Sequence, residues 1–424
     1  MPQPPAFRDE MVPTVEFADI DFMDSPSWGP TMHDRLRWLR EHEPVSWSPA
    51  TNAFIITKYE DVSAISRNQA VFTSDRGVRR STSGVRIGLI DEPEPRHGDL
   101  RRLIGRGFTP RMVAKLEEVF QDLTDEYVRD IADTGACDFV EQISVPLPLL
   151  MIAEMIGIRR EDRERFHHWS DALIAADGNY DRPEIMERSI LAFTEYSAYV
   201  TEIIDDRRAN PQEDLVSILV GAKDAGLLFE DDAQHDGPAG DAIDEIPTDE
   251  LIMFLVLLLV AGNETTRNGI SGGMQLLIEH PEQCRRLVDD PNLMPSAVEE
   301  MLRMVSPVHS FTRTVTQDTE VRGVPMKEGD DVLILYPSAN RDADIYDDPD
   351  GFRVDRNPKH LAFGIGPHFC LGASLARMEM RVVFSTVLRE LTDLAYADAG
   401  RGAVVAPSAL VRNCTEMQVT YTAR

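Results

Sequence analysis

Cysteine, basic residues and long apolar runs are all scarce in this 424-residue sequence. The cysteines are four widely spaced residues, Cys137, Cys284, Cys370 and Cys414. They form no Cys-x-x-Cys pair, which argues against a disulfide framework and against structural zinc. The 43 Lys and Arg residues are outnumbered by 73 Asp and Glu residues, and the net charge of −30 argues against nucleic-acid and anionic-membrane partners. The longest apolar run, 251–262, is too short to span a bilayer and indicates a buried helix.

The sequence also shows no N-terminal signal or anchor and no clear internal linker. Residues 1–15 begin with a polar, proline-rich stretch and are expected to form a flexible tail. Helical and strand patterns then alternate, so residues 16–424 are expected to form one large helix-rich domain located in the cytoplasm. Within it, residues 230–247 are dense in Asp and Glu and contain no Lys or Arg. They predict an exposed, partly disordered insert, and the alternative is an acidic docking surface.

Local patterns predict long helices and short strands, which together indicate a mainly α protein with small β-sheets. The spacing of apolar residues in 110–134 is typical of a long helix. Residues 45–57 contain two short apolar runs around a turn and predict a β-hairpin. A further long helix should begin near Thr248, because Asp249 and Glu250 then occupy its first turn, where the helix dipole favours acidic side chains.

The most informative segment is residues 363–372, FGIGPHFCLG, which place Cys370 in a glycine-rich loop directly before a helix-prone run. A thiolate at the start of a helix is stabilised by the dipole and by free backbone N–H groups. The glycines allow a tight turn around the sulfur and the close approach of a flat ligand. A single thiolate suits a metal with an open face, of which haem iron is the best-known case. The alternative is a buried structural cysteine.

This segment resembles the haem loop of the cytochrome P450 family, which reads Phe-x-x-Gly-x-x-x-Cys-x-Gly. Phe363, Gly366, Cys370 and Gly372 occupy the four fixed places, and the resemblance extends from about residue 45 to the C-terminus. It implies the cytochrome P450 fold, an α+β fold with haem b between a long central helix and the cysteine loop. It further implies that Cys370 is the axial ligand of the haem iron, and that Phe363, Gly364 and Gly372 belong to the cofactor site.

The long apolar helix contains a carboxylate and a hydroxyl side by side, Glu264 and Thr265, which are costly to bury unless they are paired or used. They resemble the acid–alcohol pair of the family. The resemblance implies that Thr265 hydrogen-bonds the bound oxygen and that Glu264 helps to relay protons. In the alternative interpretation, Thr265 caps a helix kink and Glu264 pairs with a neighbouring arginine.

Two further charged sets match family motifs. Glu300 and Arg303 stand at i and i+3 on an apolar helix. They match the Glu-x-x-Arg motif, whose usual third member would be Arg356, and the expected role of all three is structural. The second set is expected to bind the haem propionates and consists of His97, Arg101, Arg313 and His368. Taken singly, each is more often a solvated charge.

The resemblance implies a haem-thiolate monooxygenase that takes electrons from a ferredoxin and an NAD(P)H-dependent ferredoxin reductase. The chain looks most like actinobacterial enzymes that hydroxylate branched fatty acids, isoprenoids or sterol side chains. The alternatives are a hydroxylase of macrolide or polyketide scaffolds, a peroxygenase and a non-catalytic haem sensor. Residues expected to line the substrate pocket are Ile87, Leu89, Val260, Ala261, Val308, Phe311, Leu410 and Val411.

Overall fold

The structure is a computed structural model that describes residues 20–79, 88–176, 182–221 and 246–424. The predicted tail, residues 1–15, and nearly all of the predicted acidic insert lie outside the described residues. Of the insert, Ile246 and Pro247 are described, and Ile246 is buried in the main core. The end of this stretch therefore belongs to the folded domain.

Helices make up most of the described chain, as the sequence predicts. We number the α-helices as follows: α1 Met32–His42, α2 Tyr59–Arg67, α3 Arg96–Gly105, α4 Pro110–Ala132, α5 Pro146–Ile156, α6 Arg163–Ala175, α7 Pro183–Ala209, α8 Leu215–Leu219, α9 Thr248–Glu279, α10 Pro281–Asp289, α11 Met294–Val305, α12 Tyr336–Ala339 and α13 Ala373–Glu390. Shorter 3₁₀ or π turns are found at Ser25–Ser27, Gly88–Asp91, Arg106–Phe108, Val140–Ser144, Arg160–Asp162 and Pro291–Leu293.

The long central helix is α9, which begins at Thr248 as predicted, with Asp249 and Glu250 in its first turn. It packs against α5, α11, α13 and α7, and its buried side chains belong to the largest apolar core. Two glycines permit this close packing. A Cβ at Gly272 would lie 2.6 Å from Val305 of α11, and one at Gly273 would lie 2.5 Å from Phe384 of α13. Both distances are shorter than a carbon–carbon contact allows.

The strands form small sheets around the helical core. They are β1 Val45–Ser48, β2 Ala53–Ile56, β3 Phe72–Thr73, β4 Ala136–Asp138, β5 Ser310–Val315, β6 Thr319–Val321, β7 Val324–Met326, β8 Asp331–Leu335, β9 Leu391–Tyr396, β10 Val404–Ala406, β11 Asn413–Glu416 and β12 Gln418–Ala423. The largest sheet has the order β1-β2-β8-β5-β3. The predicted hairpin forms its edge, with Trp47 opposite Phe54.

The remaining sheets are smaller, with the orders β4-β12-β9, β10-β11 and β6-β7. The strands β10 and β11 pair with a register shift between Val404 and Val405. Strand β11 also lies against α9. The C-terminal strands thereby reach the part of α9 that carries the predicted proton-relay residues.

Candidate active site

The cysteine loop is shaped by glycines that adopt left-handed backbone conformations. Gly364 and Gly366 have φ angles of +66° and +78°, which other residues adopt only with strain. A Cβ at Gly366 would also lie 2.9 Å from the carbonyl oxygen of Ser66, at the end of α2. The loop closes on itself because the Cys370 N–H donates to the carbonyl oxygen of Phe363, at 2.9 Å. These contacts fix the sulfur just before the first turn of α13.

Opposing influences act on the Cys370 sulfur. Part of the side chain is solvent-accessible, yet the surrounding protein atoms desolvate the sulfur and raise the pKa of the thiol. The backbone N–H of Gly372 and the guanidinium groups of Arg101 and Arg377 lower it. The site therefore combines accessibility with cations that favour a thiolate, which is the ionisation state that a metal requires of cysteine.

The other three cysteines are less suited to ligate a metal. Cys137 and Cys414 are buried, and Cys284 is half-buried. Burial raises the pKa of Cys137 to about 11 and also raises the pKa values of Cys284 and Cys414. Buried thiols of this kind stay protonated and chemically inert.

The predicted propionate-binding cations lie on the same side of the fold as the cysteine loop. Arg313 on β5 is only 2% exposed, and burial lowers its pKa. Its Nη1 donates to the carbonyl oxygen of Thr312 at 2.8 Å, while its buried Nε has no hydrogen-bond partner among the described residues. Burial also lowers the pKa of Arg101, whereas the Cys370 sulfur and Glu94 raise it. A buried guanidinium with an unused donor fits an anionic ligand such as a haem propionate.

The rings of the two predicted histidines lie against each other, with their planes tilted by 37°. The ring centroids of His97 and His368 are 4.1 Å apart. His97 Nδ1 lies 3.1 Å from Glu94 Oε1, and His368 Nε2 lies 3.2 Å from Ser74 Oγ. Burial, His97, Arg313 and Arg101 together lower the pKa of His368 to about 2, so its ring is neutral at physiological pH. A neutral His368 ring can donate a hydrogen bond but supplies no positive charge.

The acid and the alcohol of α9 are placed on different faces of the helix. Thr265 Oγ1 donates to the carbonyl oxygen of Ala261 at 2.8 Å, and α9 continues as an α-helix through this turn. Ala261 is exposed. The Glu264 side chain is buried, and its Oε1 lies 3.0 Å from Arg267 Nη2. The arginine pairing that the alternative interpretation anticipated is thus present.

The predicted structural triad is assembled in the core. Arg303 Nε and Nη2 donate to the two carboxylate oxygens of Glu300 at 2.7 and 2.8 Å, and both side chains are fully buried. Arg356 Nε donates to Glu300 Oε1 at 2.9 Å. One carboxylate therefore pairs with two guanidinium groups, which compensates the cost of burying it.

The structure brings part of the predicted substrate pocket together. Val308 and Val411 form an isolated antiparallel β-bridge, and the carbonyl oxygen of Leu410 accepts from the His309 N–H at 2.7 Å. The ring of Phe311 packs edge-on against Tyr336. Leu89 and Val260 belong to other elements, the 3₁₀ turn at Gly88–Asp91 and α9. Ile87 lies outside the described residues.

Two polar residues of α9 were not predicted from the sequence, Arg267 and Asn268. Both contact the Glu264 carboxylate, and Asn268 Nδ2 does so at 3.0 Å. A signal was available, because they stand at i+3 and i+4 from Glu264, the spacings that bring side chains together on a helix. Another buried acid, Glu379 on α13, hydrogen-bonds Thr266, and burial raises the pKa of Glu379 well above its usual range.

Comparisons with known proteins agree with this geometry. The family model described as Cytochrome P450 matches residues 29–395. The chain is similar to a steroid C26-monooxygenase of Mycolicibacterium smegmatis, at 36% identity over 86% of each chain. It is also similar to a methyl-branched lipid omega-hydroxylase of Mycobacterium bovis, at 36% identity over 90% of each chain. A solved relative is CYP109E1 from Bacillus megaterium in complex with corticosterone, with a TM-score of 0.79, 30% identity and coverage of 92% of this chain and 97% of that one.

None of the helices in the described ranges is long and apolar enough to cross a membrane. Residues 251–262 lie within α9, where Leu251, Phe254, Leu255, Val256 and Leu259 are buried.

We expect replacement of Cys370 to abolish thiolate ligation. Reduced wild-type protein treated with CO should show the red-shifted Soret band of a thiolate-ligated haem, and Cys370→His should lose that band. Cys137→Ser, Cys284→Ser and Cys414→Ser serve as controls and should keep it, because their thiols are buried or half-buried with raised pKa values. If one of the control variants lost the band while Cys370→His kept it, the ligand assignment would be wrong.

Proposed function

Because this chain belongs to the cytochrome P450 family and is a haem b monooxygenase, we propose that it inserts one oxygen atom from O₂ into an elongated apolar lipid. The lipid classes that we propose are branched fatty acids, isoprenoids and sterol side chains. The observation that carries the catalytic part is the loop that holds Cys370 just before α13, beside the guanidinium groups of Arg101 and Arg377. The names of the relatives support the lipid part.

We assign the cofactor contacts to residues of this chain as follows. Haem, when bound through the Cys370 thiolate, supplies the iron centre that activates O₂. Arg101, Arg313 and the histidines His97 and His368 would hold its propionates, since Arg313 offers a buried and unused Nε. Glu300, Arg303 and Arg356 are proposed to be structural and to hold the chain segment that leads to the cysteine loop.

Thr265 and Glu264 are proposed to control protons. The Thr265 hydroxyl is half-buried and can donate either to the Ala261 carbonyl or into the pocket. The Glu264 carboxylate is buried beside Arg267, whose side chain is 16% exposed and so reaches solvent. A buried acid next to a solvent-accessible cation can exchange protons between the pocket and bulk water. The presence of Thr265 and Glu264 therefore counts against a peroxygenase and against a haem sensor, since neither requires a proton relay.

We propose that the far end of the elongated substrate lies in a solvent-open cavity of about 300 Å³ beside the first turns of α9. Its apolar wall consists of Leu89, Leu100, Ile104, Ile246, Met253 and Phe254. At its rim Arg96 pairs with Glu250 at 2.5 Å. Phe254 precedes Ala261 by seven residues, which corresponds to about 10 Å along a helix. A ligand that reaches from Ala261 into this cavity must therefore be long and narrow, and its binding would depend on buried apolar area.

The proposed electron donors are a ferredoxin and its NAD(P)H-dependent reductase. Phe369 in the cysteine loop is 38% exposed, which leaves an apolar contact beside Cys370 for a partner protein. Arg106 and Arg111, which follow α3 along the chain, are both exposed. We propose that these two arginines contribute to docking an acidic partner, against the negative charge of the whole chain.

We expect Thr265→Ala to keep haem and substrate binding but to divert reducing equivalents to hydrogen peroxide. Without the hydroxyl, the proton supply is no longer ordered. Protons delivered by water would then favour release of peroxide over insertion of oxygen into the substrate. The measurement is the ratio of product formed to NAD(P)H consumed, together with peroxide release. Thr201→Ala on α7 is the matched control, because Thr201 Oγ1 makes the same bond to the carbonyl four residues earlier, at 2.7 Å, far along the chain from the site. Unchanged coupling in Thr265→Ala would rule out the role.

We expect a ligand panel to separate the substrate classes. Branched fatty acids, isoprenoids, sterols and macrolides are titrated against the ferric protein, and displacement of water from the haem is followed as a Soret shift. A lipid should bind tightly and be hydroxylated, and Phe254→Trp should weaken long ligands more than short ones because it fills the cavity. Tight binding and turnover of a macrolide, with no response to any lipid, would support the secondary-metabolite alternative instead.

We expect charge reversal at Arg106 and Arg111 to weaken ferredoxin binding, and the loss to shrink as salt is added. Arg129→Glu is the matched control, because Arg129 is exposed on the same helix as Arg111, about 27 Å away at 1.5 Å per residue. Binding is measured as the dissociation constant for a purified ferredoxin at several salt concentrations. Equal dissociation constants for the reversal variant and Arg129→Glu would contradict docking at this surface.

A further inference from the structure

The Glu264 carboxylate is held by two residues of its own helix. Arg267 Nη2 lies 3.0 Å from Glu264 Oε1, and Asn268 Nδ2 donates to the same oxygen at 3.0 Å. Asn268 Nδ2 also lies 2.8 Å from the carbonyl oxygen of Glu264. The carboxylate is therefore directed along α9 towards the C-terminal end of the helix. Thr265, the next residue, points about 100° round the helix axis.

The two residues that hold the Glu264 carboxylate, Arg267 and Asn268, are called its holders below. Each of them is also hydrogen-bonded to strand β11. Arg267 Nη2 donates to Asn413 Oδ1 at 3.2 Å, and the backbone N–H of Cys414 donates to Asn268 Oδ1 at 2.9 Å. The second bond fixes the amide orientation of Asn268, because a backbone N–H can be accepted only by the side-chain oxygen. The Asn268 nitrogen must then face Glu264. Neither holder depends on the α9 backbone alone for its position.

The two holders differ in their freedom to move. Asn268 is completely buried, and both ends of its amide are bonded. The Arg267 side chain is 16% exposed and joins its partners through a long, flexible stem. A change in hydration can therefore displace the Arg267 side chain without displacing Asn268. While both holders are in place, the carboxylate cannot turn towards Thr265.

We propose that Asn268 and Arg267 are positioning residues for the proton relay, in which Asn268 fixes the resting orientation of Glu264 and Arg267 releases the carboxylate. Strand β11 is the anchor of both. The inference rests on the proposed relay role of Glu264 and deepens it. The proposal assigns a function to the contact between α9 and strand β11. Strand β11 lies outside the Glu264–Thr265 motif.

Other ionisable groups surround this part of α9. They are His167 and Asp171 on α6, Glu379 on α13, and Cys414 on β11. Burial raises the pKa values of Glu379 and Cys414, which favours their protonated forms. A hydrogen bond to Asp171 raises the pKa of His167, and the charge of His167 acts on Arg267. His167 is therefore the group whose titration must be separated from that of Glu264.

The test compares Arg267→Gln, Arg267→Lys and Asn413→Ala in the haem-loaded protein, all in a His167→Gln background. Removal of the guanidinium makes the buried, ionised carboxylate less favourable, so Glu264 should take up its proton at higher pH. Coupling, the ratio of product formed to NAD(P)H consumed, is measured as a function of pH, and its change on the acidic side is called the acid limb. In Arg267→Gln the midpoint of the acid limb should move to higher pH by about one to three pH units. Arg267→Lys retains the charge and should move the limb less. Asn413→Ala removes only the β11 anchor and should also move it less.

A second measurement does not depend on turnover. The carboxyl infrared band that Glu264→Gln removes is titrated in each variant, and its midpoint should follow the shift of the acid limb. Gln275→Ala is the matched control, since Gln275 lies on α9 and bonds Arg412 rather than the Glu264 cluster. Its curves should equal those of the parent protein.

The outcomes distinguish this inference from the proposed function. If Glu264→Gln leaves coupling unchanged, the relay role itself is wrong. If Glu264→Gln uncouples the enzyme but Arg267→Gln keeps the parental acid limb and infrared midpoint, the relay stands and the positioning role of Arg267 is wrong. Retention of the reduced CO band in every variant establishes that the haem site is intact and that any shift arises from the carboxylate.

Discussion

The buried guanidinium of Arg303 is the contact around which the segment before the cysteine loop is arranged. All five of its N–H groups have acceptors: two go to Glu300, and the others go to the carbonyl oxygens of Asn340, Pro349 and Gly351. This irregular backbone has no strand or helix to satisfy its carbonyl groups, and buried carbonyls need partners. Arg356 completes the arrangement by bonding Glu300 and the carbonyl oxygen of Asp347. The irregular backbone around 340–351 is thus held by buried charges.

The sequence could predict those features of the site whose residues are close together along the chain. The loop at 363–372, the pair Glu264 and Thr265, and the start of α9 at Thr248 are all local patterns, and the comparisons confirm the family that they indicate. The pairing of Arg102 with Asp99 is also local, because residues at i and i+3 lie on the same face of a helix.

The remaining features depend on contacts that no local pattern contains. Asn268 and Cys414 are bonded although 146 residues separate them, and Arg267 reaches Asn413 across the same interval. The sequence shows that Arg313 is charged, but only the fold shows that it is 2% exposed with an unused Nε. Burial and long-range pairing are properties of the packed chain, so they follow from topology and cannot be obtained from spacing.

The charges on the two sides of the pocket are balanced in opposite ways. On the α9 side the protein supplies both partners, because the Glu264 carboxylate is matched by Arg267 and Asn268. On the cysteine side it supplies an excess of cations, and burial lowers the pKa values of Arg101 and Arg313. An uncompensated buried cation destabilises the folded state, and an anionic ligand that binds only the folded state reverses this cost. Cofactor binding and folding are therefore coupled on the cysteine side, whereas on the relay side the protein itself supplies the charge partner of Glu264.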